Sequence, residues 1–321
     1  LGLITIVLPL IWSRLLPCRS LLGQYWKYHM GRDNEMSKYY SPLRYPGGKN
    51  CIFPFMSRLF YENQLIGIRY VEPYAGGAGL ALRLLFEGYV DAIYINDLDP
   101  AIYAFWKIVL EMPDDFCEWI KNVDVSIDNW KKYREIHRRA QTASLFELAK
   151  ATFFLNRTNI SGILKGGVIG GIEQKGKYKI DARFDKSNLI SRIQRLKNVS
   201  NRIFVSNYDG IRFIEKLDKR KEEIFIYLDP PYFQKGADLY MNFYSQKDHI
   251  RLSEKVKQLR NRWIISYDNN EFVLNLYAEM QKTAHRLSQS ASNRTGDELF
   301  IFSDKLSFKD SIKVLKHPVL I

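Results

Sequence analysis

The chain predicts an α/β fold, a doubly wound sheet that resumes after a mainly helical insertion, and three observations carry that prediction. An apolar run without glycine or proline, Glu223 to Leu228, suits a buried parallel strand. A shorter run at Tyr70-Val71 leads into Glu72-Pro73-Tyr74-Ala75-Gly76-Gly77-Ala78-Gly79 and then a helix, Leu80 to Glu87, that stops at Gly88. A second strand, Ala92 to Asn96, ends in Asp97-Leu98-Asp99-Pro100 and completes the strand, glycine turn, helix, strand unit that opens such sheets.

From Ala101 to about Lys197 the pattern is mainly helical, with a loop over 156–179 rich in Gly, Lys, Asn and Thr. Strand signals return at Arg202 to Ser206 and Arg262 to Ser266, with a helix from Lys247 to Asn261 before the latter. Glu298 to Ser303 and Ser311 to Leu315 are expected to add antiparallel edge strands. The chain thus divides into a non-domain leader over 1–35, a first part of the sheet domain over 36–104, an insertion over 105–200 and a second part over 201–321.

The 321 residues are 46% hydrophobic and 26% charged, ordinary for a soluble globular enzyme. A net charge of +13 and an isoelectric point near 9.4 argue for a polyanionic partner, a nucleic acid ahead of an anionic membrane surface. The first 35 residues hold four basic and two acidic side chains, so +11 of that charge lies downstream. They open on LGLITIVLPLIW, interrupted by Pro9 and too short to span a bilayer. Cys18, Cys51 and Cys117 lie far apart without a CxxC pair, so neither a disulfide framework nor a metal site is suggested, and a reducing cytoplasm fits best.

Leu228-Asp229-Pro230-Pro231-Tyr232 is the most informative segment. Asp229 follows the apolar strand, two prolines bar any helix, and an aromatic ring comes next. A carboxylate, a free carbonyl and a π-face within one turn suit an exposed planar base bearing an amine. Taken alone, the motif fits equally well a strand that ends in a proline turn.

On the other side, Gly76, Gly77 and Gly79 follow a strand, where ligands bind in open α/β sheets, and let a ligand approach the backbone. They do not spell GxGxxG. Asp97, eighteen residues beyond Gly79, fits a carboxylate that holds ribose hydroxyls. No Walker lysine is present, which disfavours a triphosphate. Upstream, Arg44-Tyr45-Pro46-Gly47-Gly48-Lys49 offers a ring and a cation around a flexible turn.

RYPGGK, EPYAGGAG with Asp97, and DPPY after an insertion together resemble the Dam-type, class alpha DNA N6-adenine methyltransferases that use S-adenosylmethionine. The resemblance covers most of residues 41 to 305 and extends to Asn156-Arg157-Thr158-Asn159-Ile160-Ser161-Gly162, which is similar to the family's target-recognition segment, to Asn207-Tyr208-Asp209, and to the stretch from Tyr240 to His249. Tyr45 stands where several relatives carry Trp. The resemblance implies a Rossmann-like methyltransferase sheet with an inserted, mainly helical target-recognition domain. It implies S-adenosylmethionine contacts from Tyr45, Lys49, Glu72, Gly76, Gly77, Gly79, Asp97 and Asp229. It also implies a catalytic set of Asp229, Pro230 and Tyr232, which transfers a methyl group to the N6 amine of a flipped adenine by direct displacement.

An amino-cytosine methyltransferase uses the same geometry, although its motif more often begins with Ser. A catalytically silent DNA-binding protein and an RNA methyltransferase are the further alternatives. Basic residues gather in the insertion, at Lys131, Lys132, Arg134, Arg138 and Arg139 and again at Lys165, Lys175, Lys177 and Lys179. Arg157, Asn159 and Lys165 are the candidates for reading bases, and Tyr240, Phe243 and Tyr244 for packing near the flipped base. The expected setting is cytoplasmic and away from membranes, with duplex DNA as partner, alone or beside a companion restriction endonuclease, as a monomer or weak dimer.

Overall fold

The computed structural model describes residues 39–45, 47–233, 244–289 and 294–321, which form one compact unit. The leader over 1–35, Tyr240 and Phe243 lie outside the described residues.

Eight strands form one sheet. β1 (Ile68–Glu72), β2 (Val90–Asn96), β3 (Ile203–Ser206), β4 (Ile224–Leu228) and β5 (Arg262–Asp268) run parallel to one another. β6 (Lys282–Gln289), β7 (Arg294–Phe302) and β8 (Val319–Leu320) are antiparallel, and the order is β3-β2-β1-β4-β5-β7-β6-β8. β7 lies between β5 and β6, so it is not the expected edge. Ser311 to Leu315 is not a strand either: Ser311–Val314 is a 3₁₀ turn whose Ser311 N–H donates to the Glu62 carboxylate at 2.9 Å, while Ile312 packs into the core.

Side chains alternate along the strands, and the alternation builds two apolar layers. Tyr70, Phe225, Tyr227, Ile264, Phe300 and Phe302 join one cluster, and Val71, Ile226, Leu228, Ile265, Leu299 and Ile301 join the other. Helix α1 (Phe53–Glu62) and α2 (Gly79–Phe86) cover the first face. The same cluster takes in all five helices between β2 and β3: α3 (Pro100–Glu111), α4 (Pro113–Asn122), α5 (Ile127–Arg138), α6 (Leu145–Thr158) and α7 (Lys186–Lys197). Phe105 of α3 stacks on Phe153 of α6 with centroids 5.6 Å apart, which ties two helices of this segment together. The other face is covered by α8 (Gly210–Asp218), α9 (Gln246–Lys257) and α10 (Glu271–Leu276).

Polar side chains fix where these helices begin. Asp99, Ser126, Ser144, Asp185, Asp209 and Asn270 each accept a backbone N–H at a helix start, and Ser245 forms a capping box with Asp248. The parallel order reverses between β1 and β4, whose Val71 and Ile226 are in register. Their carboxyl ends, Glu72 and Asp229, therefore open into the same crevice.

Candidate active site

A cavity of about 790 Å³ occupies that crevice and takes lining from Tyr45, Lys49, Glu72, Gly77, Gly79, Asp97 and Asp229. Seven of the sequence-predicted residues, from segments far apart in the chain, thus line one cavity. Gly76 contributes through its backbone, whose N–H donates to Asp97 Oδ2 at 2.8 Å. The other Asp97 oxygen accepts from Asp99 N–H at 2.9 Å, and Asp99 in turn caps α3. Burial nevertheless pushes the Asp97 carboxyl up to about 7, against the two N–H donors.

The glycine turn is shaped by Tyr45. Gly76 has φ +47°, and a Cβ there would sit 2.6 Å from the Tyr45 ring; one on Gly77 would sit 2.9 Å from Tyr45 Cβ. The close approach expected of a ligand at these two glycines is made by a side chain of the same protein. Gly79 stays open, with Asn50 Cβ 3.8 Å away as the nearest neighbour a Cβ would meet.

Lys49 is the hub on the β4 side. Its Nζ lies 3.2 Å from Asp229 Oδ1 and 3.2 and 3.3 Å from the two Glu298 oxygens, and it donates to the Tyr232 hydroxyl at 2.5 Å. Lys49 and Glu298 are buried, at 7% and 5% exposure, whereas the Asp229 side chain retains 22%. Ser266 donates to Asp229 Oδ1 at 2.8 Å, and the Tyr227 hydroxyl is 3.0 Å from Ser266 Oγ, so a polar chain from under the sheet ends at Asp229. Burial pushes the Asp229 carboxyl up and Lys49 pulls it back down. Glu72, buried and accepting from the Tyr70 hydroxyl at 2.9 Å, is pushed up to about 8 by desolvation.

Pro230 is buried, and the cavity wall beyond Asp229 is Pro231. Tyr232 is half-buried with its hydroxyl on Lys49, and Tyr244 lines the cavity while its hydroxyl meets that of Tyr74 at 2.9 Å.

Residues 45–292 match the D12 class N6 adenine-specific DNA methyltransferases. The chain belongs to that family. The type II methyltransferase M.MjaIII of Methanocaldococcus jannaschii is 23% identical over 256 residues, 74% of this chain and 86% of that protein. The type II methyltransferase M.CviBI of Paramecium bursaria Chlorella virus NC1A is 21% identical over 237 residues, 72% of this chain and 85% of that protein. Among solved structures, TrmN from Thermus thermophilus superposes with a TM-score of 0.36 at 10% identity, over 78% of this chain and 48% of that one. Family membership makes the chain an adenine-specific DNA methyltransferase and sets aside the amino-cytosine and silent-binder alternatives. No described helix is long and apolar enough to cross a membrane.

The three candidates for base reading separate. Arg157 lines the cavity beside Arg44, Arg183 and Arg192. Its Nε donates to the Arg183 carbonyl at 2.7 Å, and burial followed by the three arginine charges pushes it down to about 9. Asn159 is a correction. It is fully buried, accepts from Trp130 Nε1 at 2.6 Å and donates to the carbonyls of Ile163 and Leu164 at 2.8 and 3.0 Å, so its amide is spent holding the loop. Lys165 is exposed and outside the cavity lining. On α5 and at its carboxyl end, Lys131, Arg138 and Arg139 form surface pairs with Asp128 and Glu135, as a solvated face does.

Four contributors escaped the sequence. Glu298 and Ser266 hold Lys49 and Asp229. Asn156 accepts from Arg44 N–H at 2.8 Å and donates to the carbonyls of Arg44 and Gly162, pinning the arginine wall to the loop after α6. Trp106 Nε1 donates to the Gly76 carbonyl at 2.9 Å. Each acts across a long sequence separation, and only Asn156, inside the family-like NRTNISG segment, stood in a stretch marked for function.

Proposed function

We propose that this methyltransferase binds S-adenosylmethionine between the glycine turn and Asp97, and receives a target adenine, turned out of duplex DNA, at Asp229. The observation that carries the proposal is the opening of Asp97, Gly79, Glu72 and Asp229 into one cavity at the switch between β1 and β4. The chemistry of the wall fits the cofactor: an anchored carboxylate for a ribose, an open glycine, and buried acids facing a ligand that carries a sulfonium. When bound, the cofactor supplies an electrophilic methyl carbon and leaves as the neutral thioether.

The protein's own residues handle the amine. Its lone pair is delocalised into the purine ring and is poorly nucleophilic. The Asp229 carboxylate and the Pro230 carbonyl would accept the two amine hydrogens, so that the nitrogen pyramidalises and its lone pair is freed. Asp229, raised by burial, is also suited to take the proton the amine sheds once it is alkylated. Tyr232, its hydroxyl held by Lys49, supplies the face on which the base stacks.

The helical segment over 105–200 supplies target recognition. Among the described residues Arg44, Arg157 and Arg183 form no ion pair, and with Arg192 they make a one-signed wall suited to a phosphate flanking the flipped nucleotide.

The deciding experiment incubates the protein with methyl-labelled S-adenosylmethionine and duplex DNA, then digests the DNA and identifies the modified nucleoside. Label in N6-methyladenine that disappears with Asp229→Ala, the variant still folded, is the expected result. Full activity of a folded Asp229→Ala protein would overturn the proposed mechanism.

A further inference from the structure

We infer that Glu298 is a positioning residue for methyl transfer: it shares the Lys49 ammonium with Asp229, so that the Asp229, Lys49 and Glu298 cluster faces the target amine with one net negative charge. The inference rests on the proposed role of Asp229 and adds a residue to it.

Glu298 comes from β7, opposite Asp268 in the antiparallel β5–β7 ladder and beside the carboxyl end of β5. Both of its oxygens lie within 3.3 Å of Lys49 Nζ, and Lys49 stands 3.2 Å from Asp229. Burying Lys49 and Glu298 beside Asp229 costs stability that apolar side chains of the same volume would not cost, so such a cluster is an expensive way to fill a core. Its charge balance gives it a use. A lone Asp229–Lys49 pair is neutral, and its ammonium cancels the field of the carboxylate that must stabilise a nitrogen becoming positive. Adding Glu298 restores one negative charge without placing a second carboxylate on the amine. Glu72, protonated below about 8, adds no further charge at neutral pH.

Glu298→Gln leaves the cluster neutral, and kcat should fall about 100-fold, with the cofactor and DNA KM values changed less than about threefold. Lys49→Met leaves two carboxylates side by side, which share a proton, and should also lose activity. The double variant Glu298→Gln/Lys49→Met returns the cluster to one negative charge on Asp229 alone, and its kcat should exceed that of either single variant. A merely structural Glu298 would give a double variant no better than the worse single, and that outcome overturns the inference. Glu298→Asp, which keeps the charge, should retain more kcat than Glu298→Gln, and equal loss in the two would overturn it as well.

These readouts separate the inference from the reading it rests on. An inactive Asp229→Asn with no rescue in the double variant removes only the role of Glu298. A fully active, folded Asp229→Asn removes both.

Discussion

Trp106 Nε1 donates a hydrogen bond to the Gly76 carbonyl at 2.9 Å, and this one bond joins the first helix after β2 to the turn after β1. Trp106 is 1% exposed, so the carbonyl has no water to fall back on. Trp106→Phe should cost about 1–3 kcal/mol of stability and weaken cofactor binding more than DNA binding. Thermal melts and separate titrations with cofactor and with DNA check both parts.

Cofactor affinity should rise with pH. The Glu72 carboxyl, pushed up to about 8 by desolvation, is largely neutral at pH 7 in the free protein, and only its ionised form attracts a cationic ligand. Binding should therefore tighten between about pH 6.5 and 8.5, with Glu72→Gln flattening the profile apart from the part due to Asp97. Because the folded pKa is raised, the stabilising contribution of Glu72 is fully present below its ordinary value of 4.5 and lost as pH rises through 8. Melting temperatures of the cofactor-free protein and its Glu72→Gln variant across that window test the sign.

DNA affinity should carry the signature of the arginine wall. Arg157→Gln or Arg183→Gln is expected to weaken binding to all sequences alike and to reduce the slope of log affinity against log salt by about one. Fluorescence anisotropy at several salt concentrations measures the slope.

Asn159→Ala should behave as a folding defect. Three internal hydrogen bonds disappear and buried partners are left unsatisfied, so a loss of about 1–3 kcal/mol is expected. Methylation of a panel of duplexes by the folded fraction should keep its sequence preference, and an altered preference would restore Asn159 to the base readers.

The β4 strand, the glycine turn and Asp97 were legible because a strand buried on both faces reads as a continuous apolar run, and a turn announces itself through glycine. β6 was not: KTAHRLSQ is polar in composition, and only pairing with β7 and β8 buries alternate members such as Thr283 and His285. Ser311 to Leu315 resembled a strand for the opposite reason, since its alternating apolar residues are consumed by a 3₁₀ turn docked on Glu62. Asn159 was misread because a polar residue in a recognition-like loop looks available, whereas here it replaces backbone hydrogen bonds the loop lacks. Glu298 carried no local signal at all: its partner Lys49 stands 249 positions earlier, and a charged residue at a strand start reads as solvent-facing.

The seat of Tyr45 on Gly76 and Gly77 alters what mutagenesis of this turn would measure. An alanine at either position first strikes the Tyr45 side chain, four residues before Lys49, and the arm carrying both must yield. A substitution made to probe the cofactor turn would then register as a displaced cation on the far wall, with the loss appearing in turnover.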